Sequence, residues 1–307
     1  MTEPATLSIV VPCFNEAACL PLFVEAINAT GLERLEIIFV DDGSTDDTLA
    51  QIRSLAANDP RIRYCAFSRN FGKEAALLAG LRKATGQRIV TMDADLQDPP
   101  ALLPEMLAKL DSGTVDCVAT RRSTREGEPP VRSWFARRFY WLMRTFSEVA
   151  LVDGARDYRM MTRQVLQAIL ALAEVNRFTK GIYQWVGFRT EWIAYPNIER
   201  QAGKTKWSFW KLFRYSLEGI MAFSTAPLQL ASLLGIGFCL IACVALLFIV
   251  GRALLFDDPV SGWPSLACLI IFFGGIQLFV TGILGAYLAK TYLETKHRPC
   301  YIIREEK

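Results

Sequence analysis

The sequence predicts an α/β domain built on a mostly parallel sheet with helices on both faces, followed by a pair of membrane-spanning helices. Three observations carry this expectation. Short Val- and Ile-rich runs alternate with helical patterns over roughly the first 120 of 307 residues, polar clusters follow those runs, and the last third holds two long stretches without a charge. Apolar strands separated by helices imply parallel pairing, because the crossover helices then cover both faces of the sheet.

Strands are expected at residues 7–11, 35–40, 62–67, 88–92 and 115–120, with helices near 17–29, 46–57, 73–84 and 100–110. In open α/β sheets ligands gather at the carboxyl ends of the strands. The polar clusters fall there: Pro12 to Glu16 after the first strand, Asp41 to Ser44 after the second, Ser68 to Asn70 after the third, and Asp93 to Gln97 after the fourth. Neither G-x-G-x-x-G nor G-x-x-x-x-G-K-[ST] occurs, so a phosphorylated ligand at this edge needs a metal. Asp93 and Asp95, with Gln97 beyond them, offer hard oxygens suited to Mg²⁺ or Mn²⁺. A lone D-x-D is equally the mark of a solvated turn or a helix cap. Its place directly after an apolar strand, one βα unit beyond Asp41 and Asp42, is what distinguishes it here. Ser44 or Asp46 can also cap the next helix.

Composition narrows the class. Lys and Arg number 34 against 31 Asp and Glu, a formal charge of +3, which argues against both disorder and a globally cationic nucleic-acid binder. With 52% hydrophobic residues and a mean hydropathy of +0.23, part of the chain is expected in lipid. The eight cysteines form no C-x-x-C pair, and Cys239 and Cys243 lie inside an uncharged stretch, so reduced thiols are expected instead of disulfides. His297 is the sole histidine, which removes histidine-based zinc and Ser-His-Asp chemistry from the large domain. Acid and proline near the start do not read as a signal peptide.

The uncharged stretches are residues 228–251 and 259–289, 24 and 31 residues long, and about 20 suffice to cross a bilayer. Arg252, Asp257 and Asp258 between them sum to −1, whereas Lys204, Lys206, Lys211 and Arg214 precede and Lys290, Lys296, Arg298, Arg304 and Lys307 follow. The positive-inside bias then puts a multi-pass protein in the inner (plasma) membrane, with the large domain and both termini cytoplasmic. The expected organisation is a catalytic domain at 1–195, a juxtamembrane segment at 196–227, spans at 228–251 and 263–289, an external loop at 252–262 and a tail at 290–307. Residues 131–147 and 207–223 mix aromatics with Arg and Lys, as helices at the headgroup boundary do. Seven arginines against two glutamates between Arg121 and Arg144 could also suit RNA, but no nucleic-acid module accompanies them. Gly274, Gly275, Gly282 and Gly285 permit close helix approach, so a homo-oligomer such as a tetramer is an expected partner arrangement; lipid-facing flexibility is the simpler reading.

At this point the motifs resemble a family. Val10-Val11-Pro12-Cys13-Phe14-Asn15-Glu16, Val40-Asp41-Asp42-Gly43-Ser44, Met92-Asp93-Ala94-Asp95-Leu96-Gln97-Asp98-Pro99-Pro100 and Lys204-Thr205-Lys206-Trp207 are similar to the inverting family 2 glycosyltransferases of GT-A fold. Within that family the chain resembles the polyprenyl-phosphate branch, which includes dolichol-phosphate mannose synthases and bactoprenol glucosyltransferases, and the two spans and Ser68-Arg69-Asn70-Phe71-Gly72-Lys73 are similar to the bactoprenol type in particular. The resemblance implies a nucleoside pocket of Pro12, Phe14, Glu16, Asp41 and Asp42. It implies Asp93, Ala94 and Asp95 facing ribose and diphosphate, with Asp95, Gln97 and Asp93 as metal ligands. Arg121, Arg122, Arg200 and Lys206 would hold donor diphosphate and acceptor phosphate. Asp157-Tyr158-Arg159-Met160-Met161-Thr162-Arg163 resembles the acceptor-side segment, with Thr162 where the family often has an acid. Asp93, Asp95, Asp157, Arg121 and Lys206 form the implied catalytic set. The processive signature Q-x-x-R-W is absent, which disfavours polymer synthesis.

The implied activity is metal-dependent, inverting transfer of a sugar from a nucleotide sugar, by analogy UDP-glucose, to undecaprenyl phosphate for cell-envelope glycan modification. A lipid monophosphate, with a second pKa near ~6, arrives largely ionised and needs no strong base. Asp157 or Asp93 can still orient it. GDP-mannose or an amino-sugar donor, a hydroxyl-bearing lipid acceptor, a nucleotide-sugar-binding scaffold and a flippase-like role for the spans stay open.

Overall fold

The computed structural model describes residues 6–123, 152, 154–172, 174–196, 224–255 and 262–307. They fall into two compact units, one comprising Met1–Ala222 with Arg298–Lys307, the other Phe223–His297.

In the first unit the elements run β1 (Leu7–Cys13), α1 (Leu20–Asn28), β2 (Leu35–Asp41), α2 (Thr48–Asn58), β3 (Ile62–Phe67), α3 (Lys73–Lys83) and β4 (Arg88–Thr91). A 3₁₀ turn (Pro100–Leu102), α4 (Leu103–Asp111), β5 (Cys117–Arg122), β6 (Ala155–Thr162), α5 (Arg163–Ala171), α6 (Thr179–Trp185) and β7 (Thr190–Tyr195) follow, and β8 (Ile303–Glu306) closes the chain. One eight-stranded sheet has the order β7-β5-β6-β4-β1-β2-β3-β8. Pairings β1–β2, β1–β4, β2–β3 and β5–β7 are parallel; β4–β6, β5–β6 and β3–β8 are antiparallel. Every residue of β2 is buried, as a central strand covered on both faces requires.

The expected mostly parallel α/β sheet is therefore present, with differences at its margins. The strand expected at 115–120 is Cys117–Arg122, which draws Arg121 and Arg122 into the ladder. Prolines 99, 100 and 104 delay α4, which starts after the 3₁₀ turn. The sequence predicts no strand at 155–162, where Arg156, Asp157 and Arg159 break the apolar pattern; there Arg156 pairs with Asp98, Asp157 with Lys73, and Arg159 is buried over the Tyr183 and Trp192 rings.

β8 likewise lay outside the expected strands. It pairs with β3, and its charges are answered locally: the Arg53 guanidinium bonds Glu305 at 2.8 and 2.5 Å, and Lys83 donates to Glu306 at 2.6 Å. The Lys307 ammonium donates to the Ala56 carbonyl, and the Tyr301 ring stacks on Phe67 at 5.0 Å and 11°.

The second unit is a helical hairpin of α7 (Ala226–Leu255) and α8 (Trp263–Thr295). Phe238 meets Phe272 and Phe273 edge to face at 5.6 and 5.8 Å, and the Tyr287 hydroxyl donates to the Ser224 carbonyl at 2.6 Å. Contact positions that advance along α7 recede along α8, so the helices run antiparallel. Apolar side chains such as Leu247, Phe248, Leu278 and Leu288 are 68–76% exposed. Among the described residues one stretch, Phe272–Thr295, is long and apolar enough to cross a bilayer, and Pro227–Phe238 forms a shorter apolar helix. Residues 131–147 and 207–223, expected at the interface, lie outside the described residues, as do Arg200 and Lys206.

Candidate active site

The polar clusters converge for a topological reason. Strands β1 to β4, β5 and β7 all end at one edge, and β6, antiparallel to β4 and β5, begins there. The register that pairs Thr91 with Arg159 and Arg121 with Ala155 sets Asp157 beside the end of β4. Thr91 Oγ1 fixes it further by donating to the Asp157 carbonyl at 2.5 Å.

Two loops build the candidate nucleoside side. Asn15, at φ 55°, donates its backbone N–H to Ser44 Oγ at 2.9 Å and accepts from the Thr45 N–H at 2.8 Å. The Glu16 N–H donates to Thr48 Oγ1 at 2.8 Å. Ser44 thus links loops, and it is Asp46 that accepts the Thr48 N–H at the start of α2. Pro12, Phe14 and Glu16 are half-buried, while Asp41 and Asp42 are 2% and 4% exposed. Asp42 accepts the Phe71 N–H at 2.6 Å and the Gly72 N–H at 2.9 Å, clamping the β3–α3 loop to the end of β2. Burial outweighs those bonds and pushes its pKa up to about 6. Gly43, at φ 66°, is required by the same contact, since a Cβ there would stand 2.4 Å from the Arg69 carbonyl carbon.

The D-x-D loop turns sharply. Leu96 sits at φ 58°, unusual for a branched residue, and the turn lets the Gln97 N–H donate to Asp95 Oδ1 at 3.1 Å. Asp95 is 5% and Ala94 2% exposed. The Gln97 side-chain oxygen accepts from Arg122 at 3.3 Å, and Arg121 stands exposed at the end of β5.

The structure adds residues to which the sequence assigned no role. Lys73, the first residue of α3, places its ammonium 2.6 Å from Asp93 Oδ1 and 2.7 Å from Asp157 Oδ2. Asp98 is fully buried and accepts from Arg156 Nε at 3.0 Å, the Tyr195 hydroxyl at 2.9 Å and the Asp93 N–H at 3.3 Å. It ties the D-x-D loop to β6 and β7. Its burial raises its pKa, opposed chiefly by the Arg156 charge. For Asp157 burial also works upward, but Lys73, then Lys180 and Arg156, hold the carboxyl well below the usual carboxylate range. Asp98 and Lys73 both sit in the motif runs, beside the candidate site residues; Arg156 and Tyr195 carry no local signal. Arg159 is 2% exposed, its guanidinium over the Tyr183 and Trp192 rings at 4.3 and 5.4 Å.

Two carboxylates and an amide fit a hard divalent cation. Among the described residues no group of three His, Cys, Asp or Glu could hold an ion. A cation held by this donor set would need further oxygens from water or ligand.

A strand-end site of paired acids, an amide and arginines suits a phosphorylated ligand, and comparison with known proteins specifies the class. The chain belongs to glycosyl transferase family 2, whose pattern matches residues 8–170, more than half its length, and it is a glycosyltransferase. It is 40% identical over 304 residues to the bactoprenol glucosyl transferase of Shigella phage SfV, covering 98% of this chain and 99% of that one. It is 39% identical over 302 residues to a putative glycosyltransferase, CsbB, of Bacillus subtilis, covering 97% and 91%. Among solved structures, glucosyl-3-phosphoglycerate synthase from Mycobacterium tuberculosis in complex with phosphoglyceric acid aligns with a TM-score of 0.49 at 21% identity, over 71% of this chain and 78% of that one.

Proposed function

We propose that this protein transfers a sugar from a nucleotide sugar, UDP-glucose, to a polyprenyl phosphate such as undecaprenyl phosphate, with inversion and with Mg²⁺ or Mn²⁺. The observation that carries the reading is the match along nearly the whole chain, helices included, to a bactoprenol glucosyl transferase. Asp93, Asp95 and Gln97 hold the cation, whose chemistry when bound is to neutralise diphosphate oxygens as the nucleotide departs. Pro12, Phe14, Glu16, Asp41 and Asp42 receive the nucleoside. Arg121 and Arg122, with Arg200 and Lys206, screen the two anionic reactants and stabilise the leaving group.

The state of Asp157 supports a phosphate acceptor over a hydroxyl. An effective base titrates near the working pH, whereas Asp157 is locked in contact with Lys73 and held strongly acidic. A lipid phosphate arrives ionised and needs only orientation, which a fixed carboxylate and nearby cations supply.

Connectivity supports a two-span hairpin in the plasma membrane. The sheet unit contains residues on both sides of Phe223–His297, so the chain between must cross a bilayer an even number of times, and α7 and α8 supply two crossings. With β8 in the sheet, the C-terminus shares the catalytic domain's compartment, which the flanking basic residues make cytoplasmic. The glycines of α8 suit a homo-oligomer.

The test uses full-length protein in detergent with undecaprenyl phosphate, Mg²⁺ or Mn²⁺ and radiolabelled UDP-glucose, UDP-GlcNAc, UDP-galactose or GDP-mannose. Chelator-sensitive, organic-extractable label from UDP-glucose is expected. Asp95→Asn should lower turnover by at least about 100-fold while the protein still fractionates with membranes; full activity in that variant removes the metal role, and no lipid product from any donor removes the acceptor.

A further inference from the structure

We propose that Lys73 is the positioning residue of this site, a built-in cation that bridges Asp93 and Asp157 and competes with the divalent ion for the Asp93 carboxylate. The inference rests on the divalent-cation reading of the D-x-D loop and gives that loop a second, internal partner.

The geometry is specific. One ammonium meets Asp93 Oδ1 at 2.6 Å, Asp93 Oδ2 at 2.9 Å and Asp157 Oδ2 at 2.7 Å. The two acids come from different elements, the loop after β4 and the start of β6, so Lys73 joins a parallel segment of the sheet to its antiparallel insertion. Its own place is set from behind: Asp42 clamps the Phe71 and Gly72 amides, and Gly72, at φ 99°, turns the chain into α3. The lysine is thus aimed by the loop that Asp42, of the candidate nucleoside side, clamps.

The surrounding charge makes the ammonium necessary. Asp93, Asp98, Asp157 and Glu74 face Lys73, Arg156 and Lys180. Arg156 pairs with Asp98 at 3.0 Å and reaches Asp93 only at 4.0 Å, and Lys180 donates to the Ala155 carbonyl. Glu74 is spent on the Thr179 N–H and hydroxyl. Lys73 alone among these cations touches both Asp93 and Asp157. Its side chain is 40% exposed, against 24% and 16% for the two acids, so an ion arriving from solvent reaches the same notch. Asp93 can then exchange the ammonium for the metal while Asp157 keeps it. The consequence is a site whose cation affinity is held down until a diphosphate supplies further ligands, and whose Asp157 stays fixed throughout.

The experiment titrates Mn²⁺ alone into full-length protein in detergent, followed by electron paramagnetic resonance, with no donor or acceptor present. Lys73→Met should bind Mn²⁺ roughly tenfold more tightly than the wild type, because a charge within a few ångströms has been removed. Lys73→Arg keeps the charge and should stay within about threefold. In the transfer assay Lys73→Met should lose at least about tenfold in kcat with little change in donor KM, and Lys73→Arg should recover part of it. Unchanged Mn²⁺ affinity in Lys73→Met, equal kcat losses in the two variants, or no Mn²⁺ binding in any of the three proteins overturns the proposal. Failure of the acceptor reading shows separately, as absence of lipid-linked sugar from wild-type protein whose Mn²⁺ titration behaves as described.

Discussion

Asp42 shows how one residue serves both stability and the site. Its carboxylate takes two loop amides yet is 4% exposed, and burial lifts its pKa from the ordinary 3.8 to about 6. A carboxyl whose folded pKa is raised holds its proton between about pH 4 and pH 6 while the unfolded chain has lost it. Its favourable contribution is therefore present at acid pH and lost as pH rises through 6, where the charged form costs on the order of 2–3 kcal/mol. Asp42→Asn keeps an oxygen for the Phe71 and Gly72 amides and removes that cost. Its unfolding midpoint relative to wild type should rise between pH 4.5 and pH 7.5 in a thermal-melt series. A difference that stays flat across the series would show that burial does not penalise this charge.

Among the elements, β6 and β8 do the most for so few residues. Because β6 runs against its neighbours, its first residues arrive where β4 and β5 finish, and that single reversal brings Asp157 and Arg156 to the D-x-D loop. β8 covers the outer edge of β3, an edge that would otherwise leave backbone groups unpaired. Its approach is fixed by Tyr301, stacked on Phe67, which in turn meets Phe71 of the β3–α3 loop edge to face at 5.7 Å. Tyr301→Ala should cost about 1–2 kcal/mol, seen as a fall of roughly 3–6 °C in the unfolding midpoint, and Tyr301→Phe should retain most of it. An unchanged midpoint in the alanine variant would mean that the ring does not hold the strand.

For the molecule as a whole, the proposed membrane topology rests more on the return of the chain to its own sheet than on charge counting. A segment that leaves a domain and rejoins it cannot cross a bilayer once. An alkaline phosphatase reporter inserted after Asp258 should be active outside the cytoplasm, and the same reporter fused after Lys307 should be inactive. Activity at the C-terminal fusion would place β8, and with it the sheet it pairs with, outside the cytoplasm, and would overturn the proposed orientation.

The alternation of apolar runs with helices, and the acids that follow those runs, made the parallel half of the sheet and the D-x-D loop legible in the linear sequence, because each depends on periodicity and near neighbours. Asp93, Asp95, Asp41 and Asp42 announce themselves in this way. Lys73, Asp98, Arg156 and Tyr195 do not. Their chemistry exists only once β6 is inserted between β4 and β5 and residues up to 97 apart in sequence share a hydrogen bond. The same holds for Ile303–Glu306, whose short charged run becomes a strand only because β3 offers an open edge and Arg53 and Lys83 offer partners. The sequence by itself determined the class of domain, the strand-end acids and the apolar helices, all local consequences of side-chain pattern. Tertiary structure alone decided which acids are paired with which cations, because long-range register, not composition, sets those distances.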